Sequence, residues 1–287
     1  MAKFVICTDS GCDLRPEMLK EMGVEYAELT FRFEKEDAEY TNYGMPLGDF
    51  YDRMRKGGVA KTAAINSEIF IAKFTEILDT GADVLYLGFS SGLSTTFNSA
   101  RLASLELAQR YPDRRIEVVD TLAASAGQGL FVYLVNEKKN AGATLDEALA
   151  YAKELVPHLS HWFTVDDLVY LKRGGRVSAA TAIVGNLLGI KPVLHVDDDG
   201  HLINVLKARG RRNAVASLAA KYDELATDKA GTVFISHADC IADAELLADM
   251  LREKHGADIK CITDIGPVIG AHAGPGTLAL FFVGDKK

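Results

Sequence analysis

Short apolar runs alternate along this chain with longer stretches in which apolar residues recur every three or four positions. Phe4–Thr8 is the first run, and it ends in the polar loop Asp9-Ser10-Gly11-Cys12-Asp13. Pro16 then stands where the first turn of a helix accepts it. Val24–Phe33 reads as a strand. Ser67 stands as a cap ahead of Ile69, Phe70, Phe74, Ile77 and Leu78, whose spacing is helical. Val84–Gly88 predicts a strand, Ser94–Arg110 a helix and Ile116–Asp120 a strand, with two more helices running to about Leu159. Strand-then-helix repetition predicts a parallel sheet with helices on both faces.

The pattern changes after residue 158. Trp162–Val165 reads as a strand, and the Gly-rich basic turn "LKRGGRVS" follows. Pro192–Val196 and His201–Lys207 flank "DDDG", which predicts a hairpin and therefore antiparallel pairing. A helix from Arg211, a strand Thr232–Ser236, a helix Asp243–His255 and a strand Lys260–Ile265 come next. Ile265 to Gly284 contains no Asp, Glu, Lys or Arg and has the length of a membrane span. It also holds five glycines, two prolines and His272, a density that a spanning helix does not carry. It reads as a Gly-rich loop before a buried strand, Leu278–Val283, with no stable membrane insertion. The expected architecture is α/β in two domains. Residues 1–158 form an N-terminal parallel-sheet α/β domain, and 159–287 a C-terminal α+β domain with a mixed or antiparallel sheet. A ligand site is expected in the cleft between them.

Composition narrows the function classes. The 287 residues carry 32 Lys and Arg against 40 Asp and Glu, a formal charge of −8 with a pI near 5.4. An acidic chain without a basic stripe lacks the electrostatic footprint of a nucleic-acid binder. Cys7, Cys12, Cys240 and Cys261 are too scattered for a disulfide scaffold or a CxxC metal site, and read as thiols in a reducing cytoplasm. The start, "MAKFVICTDS", lacks the apolar core and cleavage site of a secretion signal. His158, His161, His195, His201, His237 and His255 show no metal-ligand spacing, so neither metal nor cofactor is expected. Asp9 and Asp13 read as loop caps.

Two chemistries compete for "GFSSGLSTTFNSA", residues Gly88 to Ala100. Gly-Phe-Ser-Ser-Gly after an apolar run has the form of a nucleophile elbow, and a hydrolase using Ser90 could draw on Asp264 and His272 in the required chain order. Against it, Gly92 and Leu93 prolong the loop before the helix, and no HGGG-type oxyanion segment lies upstream. The other reading is an anion holder. Small hydroxyl side chains surround a helix start whose N–H groups point outward, a site for carboxylate or phosphate. Arg173 and Arg176 flank Gly174-Gly175, and "KARGRR", Lys207 to Arg212, is the densest basic patch. The two arginines could touch a ligand head group or an incoming partner, or serve as charges at a helix C-terminus; the basic patch could dock a partner or simply face solvent.

"TDSGCDL" after the first strand, Lys61-Thr62, "GFSSGLSTTFNSA", "YLKRGGRVS" and "HAGPGTLALFF" follow one another across essentially the whole chain. In this order and at this spacing the sequence resembles the DegV family of bacterial fatty-acid-binding proteins. The resemblance implies two α/β domains with a lipid tunnel between them. It implies a carrier without catalysis of its own, acting in phospholipid metabolism. Its partners would be a long-chain, palmitate-like fatty acid and the fatty acid kinase subunit that converts the presented carboxylate to an acyl phosphate. By motif, Thr62, Ser94 and His272 would hold the carboxylate, together with Ser91 and Gly92. Arg209, Arg173 and Arg176 are the candidates for docking the kinase. The chain departs from the family pattern where "KTAAINS" replaces the frequent "KTSQPS", and where Thr95 replaces a glycine.

Overall fold

Val84–Gly88 is apolar on both sides of its pleat, and its neighbours explain why in the computed structural model, which describes residues 3–177 and 189–287. In chain order the N-terminal half runs β1 (Phe4–Asp9), α1 (Pro16–Met22), β2 (Glu25–Ala27), β3 (Thr30–Phe33), β4 (Tyr40–Thr41), α2 (Leu47–Arg55), β5 (Ala60–Ala63), α3 (Ser67–Leu78), β6 (Asp83–Gly88), α4 (Thr96–Arg110), β7 (Ile116–Asp120), α5 (Ala126–Asn140) and α6 (Leu145–Leu155). The C-terminal half runs β8 (Leu159–Thr164), α7 (Val169–Arg173), β9 (Ile190–Val196), β10 (Leu202–Arg209), α8 (Arg211–Leu225), β11 (Thr232–His237), α9 (Ile241–His255), β12 (Asp258–Asp264), α10 (Pro267–Ala273) and β13 (Leu278–Val283). Strands β2, β1, β6 and β7 form a wholly parallel sheet in that order. Within β6, Val84 and Tyr86 pack with Phe70 and Phe74 of α3 and Leu107 of α4. Leu85 and Leu87 point the other way, toward Leu19 of α1 and Leu130 of α5. A strand covered by helices on both faces has no polar side.

The C-terminal sheet has the order β10-β9-β8-β13-β11-β12, antiparallel except for the β11–β12 pair. Helices α8 and α9 cover one face through Val215, Leu218, Leu247 and Leu251. The opposite face presents Phe163, Leu194, Phe234 and Phe281 to the cluster that contains α5. Helix α5 therefore lies between the two sheets, and the halves share one core. A third, antiparallel sheet, β4-β3-β5, stands beside them.

Several expected elements differ. Val24–Phe33 is two strands in two sheets. The chain switches at Leu29, whose N–H donates to Ser10 Oγ at 2.9 Å instead of to a strand partner. The cap of α3 is Asn66, which accepts from Ile69 N–H at 3.0 Å, and not Ser67. Helix α4 starts at Thr96, because Ser94 Oγ accepts from Thr96 N–H at 3.2 Å just ahead of it. The glycine-rich stretch expected as loop contains α10, begun by Pro267 at its first position. Ser178, the last residue of the Tyr170–Ser178 motif, and Met1 and Ala2 lie outside the described residues. No helix of the described residues is long and apolar enough to cross a membrane.

Candidate ligand-binding site

The site begins with how α10 is held. Its leading N–H groups have no partners within the helix. Gly266 N–H donates to Asp13 Oδ1 at 3.0 Å and Val268 N–H to Asn42 Oδ1 at 2.9 Å, both from the other half of the chain. Thr263 Oγ1 donates to the Asp13 carbonyl at 3.0 Å, and Tyr51 Oη to the Ile265 carbonyl at 2.6 Å. Asp13 is thus a cross-domain acceptor more than a loop cap. Burial pushes its carboxyl up to about 7, against the donors Ser125 and Gly266. Asp9 is the loop cap expected: it accepts from Gly11 N–H at 3.0 Å, and also from Phe89 N–H at 3.0 Å. That second bond ties down the start of the serine loop.

So positioned, α10 carries His272 to β5, where its Nε2 lies 2.9 Å from Thr62 Oγ1. Its Nδ1 has no partner among the described residues. Burial, with the Arg176 charge second, lowers the imidazole to about 4, so it is neutral at pH 7. The ring sits against Gly174, where a Cβ would lie 2.1 Å from Nδ1. Only a residue without a side chain permits that approach.

The serine loop contributes hydroxyls and few amides. Ser94 Oγ lies 2.9 Å from Thr96 Oγ1, which accepts from Ile65 N–H at 3.3 Å. Of the N–H groups around this helix start, those of the loop ahead of it are consumed internally. Ser91 N–H donates to Asp120, Gly92 N–H to Ser90 Oγ, and Leu93 and Ser94 N–H to the Ser90 carbonyl. Ser90 is fully buried and donates to the Gly200 carbonyl at 2.9 Å. It serves as the hub of its own turn. No hydrogen bond joins it to His272, whose partner is Thr62, and Asp264 faces His237 at 3.7 Å. The serine, acid and histidine of the hydrolase reading are therefore not assembled.

Thr62, Ser91, Ser94 and His272 line one open pocket of about 320 Å³, with Phe89 and Val268 in its wall. Gly92 does not belong to it. A Cβ there would meet the carbonyls of Asp199 and Gly200 at 2.7 and 2.9 Å, so this glycine admits the β9–β10 turn and not a ligand. Of the two arginines beside Gly174-Gly175, Arg176 lies at the pocket. It gives its Nε to the Leu93 carbonyl at 3.2 Å, and burial lowers its pKa. It forms no ion pair among the described residues. Arg173 is exposed near Tyr170, and Arg209 is exposed on the outer strand β10; neither lines the pocket. Within "KARGRR", Arg211 is engaged by Asp243 at 2.9 Å, which leaves Lys207, Arg209 and Arg212 exposed.

Leu93, Arg176 and His272 also line a second, inner chamber of about 80 Å³ whose remaining wall is almost wholly apolar, including Phe163, Leu171 and Phe281. It lies between α10, through Ile269, His272 and Ala273, and the C-terminal sheet, with Ala124 and Ser125 just ahead of α5 in its wall. Motif reading missed Asp13 and Asn42 as the clamps on α10, Gly174 as the seat of His272, and His161 in the chamber wall. The sequence signals for them were the Gly-Gly pair and the place of Asp13 in "TDSGCDL". All four cysteines are free thiols, and the described residues hold no cluster of His, Cys, Asp or Glu fit for a metal ion.

A family model described as "Uncharacterised protein, DegV family" matches residues 3–285. A DegV domain-containing protein of Clostridium perfringens is 43% identical over 289 residues, covering 100% of this chain and 99% of its own. Among solved structures, a DegV lipid binding protein from Thermotoga maritima matches with a TM-score of 0.86 at 32% identity, over 99% of both chains. A structure described as fatty acid binding of a DegV family protein from Thermus thermophilus matches with a TM-score of 0.87 at 29% identity, over 97% of this chain and 98% of its own.

Proposed function

This chain belongs to the DegV family, and from that premise we propose that it binds a long-chain fatty acid and presents its carboxylate to a separate kinase for acyl-phosphate formation. The observation that carries the reading is the junction of two unlike spaces. A polar mouth lined by a guanidinium that makes no ion pair among the described residues shares Leu93, Arg176 and His272 as a common wall with an apolar chamber. That is the complement of an amphiphile with an anionic head.

The head-group chemistry follows from the hydrogen-bond directions an anion would favour. With Ile65 N–H donating to Thr96 and Thr96 to Ser94, the Ser94 hydroxyl hydrogen is free to point into the pocket. With its proton on Nε2, His272 donates to Thr62, and the Thr62 hydroxyl is freed in the same way. Arg176 adds a cation, so the site is more than a set of neutral donors. A charge-assisted bond from Arg176 strengthens binding and tempers the carboxylate as a nucleophile. Ser91 and Thr95 are exposed at the rim, which leaves one side of the head group open to a kinase. Arg209 and Arg173, both exposed, are the residues proposed to meet it.

The chain supplies the affinity. About 15 methylenes at ~0.8 kcal/mol each give roughly 12 kcal/mol gross, against an association cost of at least about 4 kcal/mol. The chamber's 80 Å³ is far below the several hundred Å³ of a typical ligand pocket. Full insertion therefore parts its apolar walls, with the domain division proposed near residues 158 and 159 as the seam. The test is denaturing extraction of the freshly purified protein followed by mass spectrometry. A long-chain fatty acid at close to one per protein is expected. A protein that is empty and also fails to bind added palmitate would overturn the reading.

A further inference from the structure

Deep in the chamber wall stands a histidine that the head-group site does not use. His161, on β8, is 1% exposed, and neither of its ring nitrogens has a hydrogen-bond partner among the described residues. Its ring meets Phe281 edge to face at 5.5 Å and lies against Gly127, where a Cβ would come within 2.4 Å of Nε2. Burial, then the charges of Lys287 and His195, holds it well below the usual histidine range, so it presents one N–H donor and one bare acceptor.

The other polar side chains on that wall are engaged. Ser125 Oγ donates to Asp13 at 2.6 Å and lies 3.0 Å from Ser236 Oγ. Thr277 Oγ1 donates to the carbonyls of Ala273 and Gly274. Arg176 Nε and His272 Nε2 are bonded to Leu93 and Thr62. Among the described lining residues, His161 alone has no partner at any polar side-chain atom. Buried polar groups are nearly always bonded, and an exception lining a cavity points to something that enters it.

We propose that His161 is a specificity-determining residue of the chamber, selecting a long-chain acid that carries a hydroxyl on its chain over the plain alkyl acid. This rests on the fatty-acid reading above. His161 lines the chamber but not the mouth, so a chain whose carboxylate is held at Thr62 and Ser94 runs past it. A hydroxyl can accept from its N–H or donate to its bare nitrogen. A methylene there displaces any water and leaves both unpaired.

The test measures displacement of a fluorescent fatty acid by stearic acid and by a series of mid-chain hydroxystearic acids, on wild type and on His161→Phe. Phenylalanine keeps the aromatic contact with Phe281 and removes both nitrogens. Wild type should favour at least one hydroxy isomer by about tenfold, the equivalent of one net hydrogen bond. His161→Phe should lose that preference while holding stearic acid at least as tightly. His161→Gln, which restores a donor and an acceptor, should regain part of it. Equal binding of stearic acid and every isomer by wild type overturns the inference without any variant. So does a preference that survives in His161→Phe. If no acid of either kind binds, the fatty-acid reading itself fails.

Discussion

Replacing Gly174 by alanine would put a methyl group 2.1 Å from His272 Nδ1 and 3.1 Å from its Cγ and Cε1. Non-bonded carbon contacts settle near 3.5–4.0 Å, so the ring must retreat by about 1 Å or more. Thr62 holds its other edge at 2.9 Å, so the retreat breaks or bends that bond and misplaces the Thr62 hydroxyl. Leaving a buried anion short of one donor costs about 1–3 kcal/mol, or roughly fivefold to a hundredfold in Kd. The backbone is not the cause. Gly174 has φ −71° and ψ −11°, which alanine adopts freely, and alanine gains about 0.4–1 kcal/mol by restricting the unfolded chain. Gly175 makes the matched control. Its φ is +70° and its Cβ would meet nothing within 4 Å, so Gly175→Ala should cost about 1 kcal/mol of stability and leave affinity alone. The assay is palmitate displacement of a fluorescent fatty acid from delipidated protein, beside urea unfolding. Wild-type affinity in Gly174→Ala, or an equal affinity loss in Gly175→Ala, would refute the claim that His272 must be seated there.

Thr62→Ala and Ser94→Ala should each weaken palmitate binding by about 1–3 kcal/mol in the same assay. Thr62→Ala should change the unfolding midpoint little, while Ser94→Ala also costs about 0.5–2 kcal/mol of stability because Ser94 Oγ accepts from Thr96 N–H at the start of α4. Asp13 predicts a pH dependence of stability. Its folded pKa of about 7 lies above the ordinary 3.8, so the native state binds the extra proton between those values. Its contribution is full below about pH 4 and is lost as pH rises through 7. His272, lowered from 6.5 to about 4, acts with the opposite sign across its own window. The difference in unfolding free energy between wild type and Asp13→Asn therefore isolates the carboxyl, and it should fall steadily from pH 4 to 8. A flat difference would mean that Asp13 titrates alike in both states. Arg209→Glu should leave palmitate affinity unchanged and slow phosphorylation by the cognate kinase, more so at low salt. Unchanged turnover would return Arg209 to a solvated surface residue.

Legibility in the sequence followed periodicity. The buried run of β6, the helical spacing of α3 and the "DDDG" turn could be read because local pattern and tertiary role agree. Helix α10 could not, since Gly266, Pro267, Gly270 and Gly274 read as loop, and what holds its start is Asp13 and Asn42, more than 200 residues earlier. Val24–Phe33 hid a change of sheet because both segments are apolar and the break is made by a distant serine hydroxyl. Helix α2 and strands β4 and β5 are short and partly exposed, and gave no clear alternation. At the site, Thr62, Ser94 and His272 came from motif resemblance, and the fold brings them to one pocket. Arg176 needed the structure, because what distinguishes it is a place in the pocket wall with no ion pair among the described residues. His161 needed it too, since a lone histidine on a strand looks like any core residue until its nitrogens are found bare.

The central claim places the carboxylate at the mouth and the chain in the chamber, and a crystal structure with a terminally brominated palmitate tests it most directly. The account predicts the carboxylate within hydrogen-bond distance of Thr62 Oγ1 and Ser94 Oγ, and the anomalous bromine signal beyond His161 and Phe281, between α10 and the C-terminal sheet. A bromine at the mouth, or a ligand seated in any other cleft, would contradict it.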